Sequence, residues 1–192
     1  MNNICNIPFS QIELKPNGEL TVCCKISNVI RKEDGTPFNL LYDSIEDVWN
    51  SEDLNKLRHS FLNGEKPIAC RKCWVDEASG IQSLRLQSTE VKIDIDSPVI
   101  RCFSLKITTK CNCACRICDF SLSSLWESEL RKQNRLPVHQ AKYLEDSKMT
   151  KLDKNSNFEQ IKEILPNLER LFIYGGEPVS YTHLTLPTTP YV

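Results

Sequence analysis

Residues 103–119 read FSLKITTKCNCACRICD, a short strand pattern that runs directly into a cysteine-rich loop. Apolar and polar residues alternate from 103 to 108, which is the period-two pattern of a β-strand with one buried face. Cys111, Cys115 and Cys118 then follow one another with the spacing CxxxCxxC. We therefore expect a strand whose carboxyl end carries three thiols in one short loop.

The segments after this loop predict a βαβ unit. Leucines and a tryptophan have helical spacing over 122–130, and a second apolar stripe with that spacing covers 158–168. Residues 171–174 form a short apolar strand that ends in the turn Gly175-Gly176-Glu177-Pro178. A strand, two helices and a second strand in this order indicate a parallel sheet, with functional loops at the carboxyl ends of its strands.

Thiolates in such a loop are suited to an iron-sulfur cluster. A cubane [4Fe-4S] cluster held by three thiolates keeps one iron open for another ligand. Zinc is the alternative, although zinc sites are usually built from paired CxxC units rather than from CxxxCxxC. The spacing therefore favours iron-sulfur at Cys111, Cys115 and Cys118.

The CxxxCxxC loop and the GGEP turn together resemble the radical S-adenosylmethionine superfamily. The resemblance implies a partial TIM barrel and a [4Fe-4S] cluster whose open iron binds S-adenosyl-L-methionine, which is reductively cleaved to a 5'-deoxyadenosyl radical that abstracts hydrogen from a substrate. It also implies cofactor contacts at Gly175, Gly176 and Glu177. Ile117 takes a position where relatives often carry an aromatic residue against the adenine, and Cys113 is not expected to be a ligand.

A β-hairpin is predicted over residues 11–22, where two alternating segments flank a Pro-Asn-Gly turn. Asn17 and Gly18 tolerate the positive φ that tight hairpin turns require. Cys23 and Cys24 follow the second strand, and adjacent residues on a strand point to opposite faces. One metal site can hardly use both, and the alternation alone leaves open which of the two it would use.

Three stretches of the amino-terminal region, PNGELTVCC, SIEDVWNS and CRKCW, resemble the SPASM or twitch type of auxiliary-cluster domain. The resemblance covers Ile4 to Arg85, in the order of a subgroup of radical enzymes that places this domain first. It implies a second [4Fe-4S] cluster, which would relay electrons, serve a structural role or hold a substrate. Its implied ligands are Cys5, Cys23, Cys70 and Cys73. The same four thiols could instead bind structural zinc, and that alternative stays open.

Two capped helices are expected between the hairpin and the CxxC pair. One begins after Ser44 and runs to Trp49, and the other begins after Ser51 and ends at Asn63. Arg58 is expected at the surface or in a local hydrogen bond. Residues 76–100 are interpreted as a polar connector with a helical turn.

Composition indicates a globular protein without a strong electrostatic preference. The formal net charge is -1 for 192 residues, which gives no reason to expect nucleic acid or membrane as a partner. Ten cysteines without a recognisable secretory signal indicate metal or cluster binding in a reducing compartment, and we expect a cytoplasmic location. The partners that the resemblance implies are S-adenosylmethionine, a peptide or small-metabolite substrate, and a reductant such as flavodoxin or ferredoxin.

The expected domains are 1–95 for the auxiliary cluster, 96–178 for the first part of the radical domain, and 179–192 for a tail foreign to the coding sequence. The tail carries four threonines and two prolines and lacks any helical or strand period. The sequence thus predicts an α/β protein: a small α+β hairpin-plus-helices cluster domain, followed by the first βα units of a truncated partial TIM barrel. We expect an enzyme fragment that is itself inactive, without a catalytic side chain of its own. The alternative is a zinc-binding structural or interaction module.

Overall fold

The computed structural model of the protein describes residues 3–89, 93–106, 109–111, 113–118, 120, 122–136 and 157–176. The helices are α1 (Ile45–Trp49), α2 (Glu52–Leu62), α3 (Arg71–Ala78), α4 (Leu84–Ser88), α5 (Ser124–Lys132) and α6 (Asn157–Ile164). The strands are β1 (Gln11–Leu14), β2 (Leu20–Thr21), β3 (Cys102–Lys106) and β4 (Arg170–Tyr174). The described chain is therefore a mixed α/β structure, in agreement with the coarse class expected from the sequence.

The predicted hairpin is confirmed. β1 pairs antiparallel with β2, with Leu14 opposite Leu20. Gly18 in the connecting turn has a φ of 85°, a left-handed conformation that a residue without Cβ adopts at little cost. The hairpin therefore ends at a defined register, and this register places Cys23 directly beyond β2.

The four strands found in the described residues form one mixed sheet in the order β2-β1-β3-β4. The predicted parallel pairing of β3 with β4 is present, with Phe103 opposite Leu171. The parallel pairing of β1 with β3 was not expected, and it sets Ile12 opposite Phe103 and Leu14 opposite Leu105. These four β1 and β3 side chains are buried, so the hairpin and the βα unit share one apolar sheet face.

The two capped helices also agree with the sequence. The Ser44 hydroxyl accepts the backbone N–H of Asp47 at the start of α1, and the Ser51 hydroxyl accepts that of Leu54 in α2. These bonds satisfy backbone donors that the first turn of a helix leaves unpaired. Each helix therefore begins where its serine predicts.

Of the two positions expected for Arg58, the surface one is wrong, because this α2 side chain is only 6% exposed, and the local hydrogen bond is present as its bond to Asn55. Its guanidinium donates to the backbone carbonyls of Pro8 and Trp49, both at 2.9 Å, and to the side chain of Asn55 at 2.7 Å. It also lies 4.3 Å from the centre of the Trp49 ring. Its partners come from three segments, and helical periodicity alone does not indicate them.

The interpretation of residues 76–100 as a connector needs correction as well. α3 extends through Ala78, and α4 follows after a break at Ser79-Gly80. Ser83 caps α4 by accepting the backbone N–H of Leu86. The part of this stretch up to Ser88 therefore belongs to the folded helical layer, and residues 93–100 are irregular.

Some expectations remain predictions. The structure has a four-stranded sheet, and a partial barrel is not confirmed. The domain limits at 95 and 178 are also untested, and the 179–192 segment lies outside the described residues. In the described part of the chain, no helix has both the length and the apolar character needed to cross a lipid bilayer.

Candidate metal centre

Four cysteines from distant parts of the chain line a single cavity. They are Cys5, Cys23, Cys70 and Cys73. The cavity wall is otherwise mostly apolar, with Ile7, Val22 and Phe61 among its residues. None of the four forms a disulfide. The structure therefore brings together all four thiols that the sequence assigned to one centre.

Each thiol is presented by a short, well-defined element. Cys5 precedes a single 3-10 turn over Ile7–Phe9, and Cys23 follows β2. Cys70 ends another 3-10 turn, and Cys73 lies in the first turn of α3. The CxxC pair thus sits where a 3-10 turn becomes an α-helix, and its two thiols face the hairpin and the amino-terminal segment.

The structure separates the adjacent pair Cys23 and Cys24. Cys23 is 8% exposed and lines the cavity, whereas Cys24 is exposed. β2 ends at Thr21 and Cys24 lies in the turn that follows, so of the two only Cys23 faces the other three thiols. Cys23 is therefore the member of the pair that could reach a bound metal centre.

Burial makes three of these thiols, Cys5, Cys23 and Cys70, poor acids, because it raises their pKa values. It raises the pKa of Cys5 to about 11 and the pKa values of Cys23 and Cys70 to about 12, with neighbouring cysteines adding to each increase. Hydrogen bonds from backbone N–H groups offset part of this increase. The N–H of Ile7 lowers the pKa of Cys5, and those of Lys25 and Ile26 lower the pKa of Cys23. Binding of a metal centre would therefore displace the thiol protons, and the bound sulfurs would accept hydrogen bonds from N–H groups that are already oriented toward them.

Zinc and an iron-sulfur cluster differ in how their cysteine ligands must be arranged. No three Cys, His, Asp or Glu side chains in the described ranges are arranged to hold a single metal ion. Tetrahedral zinc would draw its sulfurs to about 3.8 Å from one another, given Zn–S bonds of about 2.3 Å. An iron-sulfur cluster spreads its thiolates over several irons, so four thiols that line one cavity could each bind a different iron.

An ion pair between the buried Arg85 and the partly exposed Glu77, which the sequence did not indicate, supports this cavity. Arg85 of α4 lines it and is 4% exposed. Its Nε and Nη2 donate to the two carboxylate oxygens of Glu77, at 2.8 and 2.6 Å, and its Nη1 donates to the carbonyl of Ile4 at 2.8 Å. The guanidinium lies 4.6 Å from the centre of the Trp74 ring. The sequence offered one signal here, Ser83 as a helix cap. That signal indicates where α4 begins, but it does not indicate that α4 packs against the cysteines.

The second cysteine loop is anchored to α5. The backbone N–H of Cys111 donates to the Ser124 hydroxyl at 3.1 Å, and the Trp126 indole N–H donates to the carbonyl of Cys115 at 2.9 Å. The backbone N–H of Cys113 donates to the sulfur of Cys111 at 3.3 Å. Cys118 donates its backbone N–H to the Cys115 carbonyl. The loop is thus held by its backbone, while Cys115 itself is exposed.

The glycine turn lies at the same edge of the sheet as this loop. β3 and β4 are parallel, so the residues that follow them emerge at one side. The backbone N–H of Gly176 donates to the carbonyl of Leu122 at 3.0 Å, which joins the two loops directly. Gly175 and Gly176 have φ values of 86° and 65°. Ile117 is 99% exposed, and Glu177 lies outside the described residues.

Comparison with known protein families identifies one region of the chain. Residues 5–74 match the SPASM model, described as an iron-sulfur cluster-binding domain. Comparisons with curated proteins and with solved structures found no match. The matched segment begins at Cys5 and contains Cys23, Cys70 and Cys73, so just over a third of the chain is similar to SPASM iron-sulfur cluster-binding domains, and this third carries the four-cysteine cavity.

Proposed function

We propose that the protein is a radical S-adenosylmethionine enzyme that carries an auxiliary iron-sulfur cluster in its amino-terminal region. The observation that carries the proposal is the convergence of four cysteines on one cavity within a segment similar to SPASM domains. The auxiliary cluster would be a [4Fe-4S] centre held by Cys5, Cys23, Cys70 and Cys73. Four thiolates leave no iron open, which suits electron transfer or a structural role.

The second proposed centre is a [4Fe-4S] cluster at Cys111, Cys115 and Cys118. Three thiolates leave one iron free for the amino and carboxylate groups of S-adenosylmethionine, and the bound cluster would supply the electron for reductive cleavage of that molecule. The contact between the glycine turn and the cysteine loop supports this assignment, because it sets Gly176 beside the loop. Glycines there would let the cofactor approach the main chain closely.

A zinc-binding structural module is the second candidate function. It would use the four amino-terminal thiols, and a CxxC pair is common in such sites. The similarity of residues 5–74 to an iron-sulfur cluster-binding domain favours a cluster over a single ion. The metal content of the purified protein decides between the two candidates.

Anaerobic reconstitution with iron and sulfide tests the proposal on the full chain. We expect a brown protein with about eight irons, since each [4Fe-4S] cluster holds four. The triple variant Cys111→Ala/Cys115→Ala/Cys118→Ala should retain about half of this iron. Cys113→Ala, in the same loop, is the matched control and should retain all of it. A colourless protein that holds about one zinc would overturn the cluster assignment.

Electron paramagnetic resonance of the reduced protein tests the cofactor assignment. Adding S-adenosylmethionine should change the signal of one cluster, and that change should disappear in the triple variant. The signal of the auxiliary cluster should be unaffected, because all its irons would carry protein thiolates. An unchanged spectrum in a protein with both clusters loaded would count against S-adenosylmethionine as the ligand.

A further inference from the structure

We infer that the Arg85–Glu77 ion pair sets the reduction potential of the cluster bound at the four-cysteine cavity. The inference rests on the proposed auxiliary cluster and adds two residues, both beyond the 5–74 segment similar to SPASM domains. Neither residue would bind iron. Both would act through their charges and through the segment that carries Cys5.

The geometry places a fixed positive charge at the cavity wall. Arg85 is 4% exposed and lines the same cavity as the four thiols. The Glu77 carboxylate, the Ile4 carbonyl and the Trp74 ring hold its guanidinium from three sides. Because a buried charge is screened less than an exposed one, its field reaches a neighbouring cluster more strongly than that of a surface lysine would.

The helix that carries Arg85, α4, also holds the Cys5 segment in place. Arg85 bonds the Ile4 carbonyl, which lies one residue before Cys5. The Ser88 hydroxyl lies 3.8 Å from the Cys5 sulfur, and the Asn6 side chain donates to the Ser88 carbonyl at 3.1 Å. α4 therefore contacts both sides of this thiol, and Arg85 also interacts electrostatically with Cys5.

The charges of the pair should have opposite effects on the potential. Reduction adds one negative charge to the cluster, so a nearby cation stabilises the reduced form and a nearby anion destabilises it. Removing the Arg85 charge also leaves the Glu77 carboxylate without its ion-pair partner, although the Ser83 hydroxyl still donates to it. Arg85→Gln should therefore lower the midpoint potential, and Glu77→Gln should raise it.

The test is a dithionite potentiometric titration of the full-length Cys111→Ala/Cys115→Ala/Cys118→Ala protein, in which only the auxiliary cluster remains. At a fixed potential, each single substitution should change the ratio of reduced to oxidised cluster by about tenfold, in opposite directions, which corresponds to about 59 mV for one electron. The double variant Arg85→Gln/Glu77→Gln should lie between the two single variants. A purely structural role would lower iron content without this reversal of sign.

The matched control is Asp76→Asn, which removes the same charge from the neighbouring residue of α3. Asp76 pairs with Lys72, whose side chain is 56% exposed, whereas Glu77 pairs with Arg85, which lines the cavity. Asp76→Asn should shift the midpoint potential of the cluster much less than Glu77→Gln does. If Arg85→Gln does not retain iron, the comparison of Glu77→Gln with Asp76→Asn still decides the question.

The possible outcomes separate this inference from the proposed function. Wild-type protein without a cluster would overturn both. A loaded cluster whose potential is the same in Glu77→Gln, Asp76→Asn and the parent would overturn the inference alone. Shifts of the same sign for Arg85→Gln and Glu77→Gln would also overturn it, because they would indicate a change in structure rather than in charge.

Discussion

The ammonium nitrogen of Lys106 lies 2.5 Å from a carboxylate oxygen of Glu13, and this pair links the parallel strands β3 and β1. Only 20% of the lysine side chain and 5% of the glutamate side chain are exposed. Removing one partner of a buried pair leaves the other charge without compensation. The pair therefore makes the contact between the hairpin and the βα unit dependent on both residues.

Lys106→Met should lower the free energy of unfolding by about 3 kcal/mol, because it leaves the Glu13 carboxylate buried and unpaired. Urea unfolding followed by tryptophan fluorescence measures this change. The control is Glu169→Gln, which breaks an exposed pair with Arg101 and should cost less than about 1 kcal/mol. The double variant Glu13→Gln/Lys106→Met should regain part of the loss, and a double variant less stable than Lys106→Met would contradict the argument.

Gly18→Ala should destabilise the protein by more than about 2 kcal/mol, for two reasons. Gly18 has a φ of 85°, and a Cβ there would lie 2.3 Å from the side-chain oxygen of Asn39. That oxygen already accepts the backbone N–H of Leu41, so it is not free to move away. Chemical denaturation is the measurement.

Gly35→Ala is the control for the steric part of this effect. Gly35 has nearly the same φ, 83°, but a Cβ added there would meet no other atom within 4 Å. Gly35→Ala should lower the free energy of unfolding by only about 1 kcal/mol, which is the cost of placing alanine in a left-handed conformation. Equal losses for the two glycines would show that the contact with Asn39 contributes nothing.

Cys23→Ala should lose the auxiliary cluster, whereas Cys24→Ala should keep it. The first thiol lines the cavity, and the second is exposed on the other side of the chain. Iron and acid-labile sulfide assays after anaerobic reconstitution measure the difference. Retention of all iron in Cys23→Ala would remove this residue from the ligand set.

Acid should destabilise the wild-type protein through Glu77. Hydrogen bonds from Arg85 hold the pKa of this carboxyl below its usual value of 4.5. The folded state therefore binds the proton less readily than the unfolded state, so the stabilisation is complete above about pH 4.5 and is lost as the pH falls further. The urea midpoint should decrease more steeply below that pH in wild type than in Glu77→Gln. If the urea midpoints of the two proteins decrease in parallel as the pH falls, the proposed link between Glu77 and acid stability is refuted.

The local elements could be predicted because their causes are local. The Asn17-Gly18 turn follows from short-range backbone preferences, and the helix starts after Ser44 and Ser51 follow from side-chain caps. The burial of Arg58 could not be predicted in this way, since its carbonyl partners include Pro8, fifty residues away along the chain. Arg85 was missed for the same reason, because its bond to Ile4 spans 81 residues.

By itself, the sequence determined which residues could serve the site and approximately where the strands lie. The resemblance to SPASM or twitch domains implied Cys5, Cys23, Cys70 and Cys73, and alternation predicted β1 and β3 to within a few residues at their ends. The tertiary structure decided that these thiols share one cavity, that β1 joins β3 in a single sheet, and that Arg85 stands beside the thiols. Caps and alternation act over a few residues, whereas these contacts depend on burial and on charge pairing between segments that meet only in the folded chain.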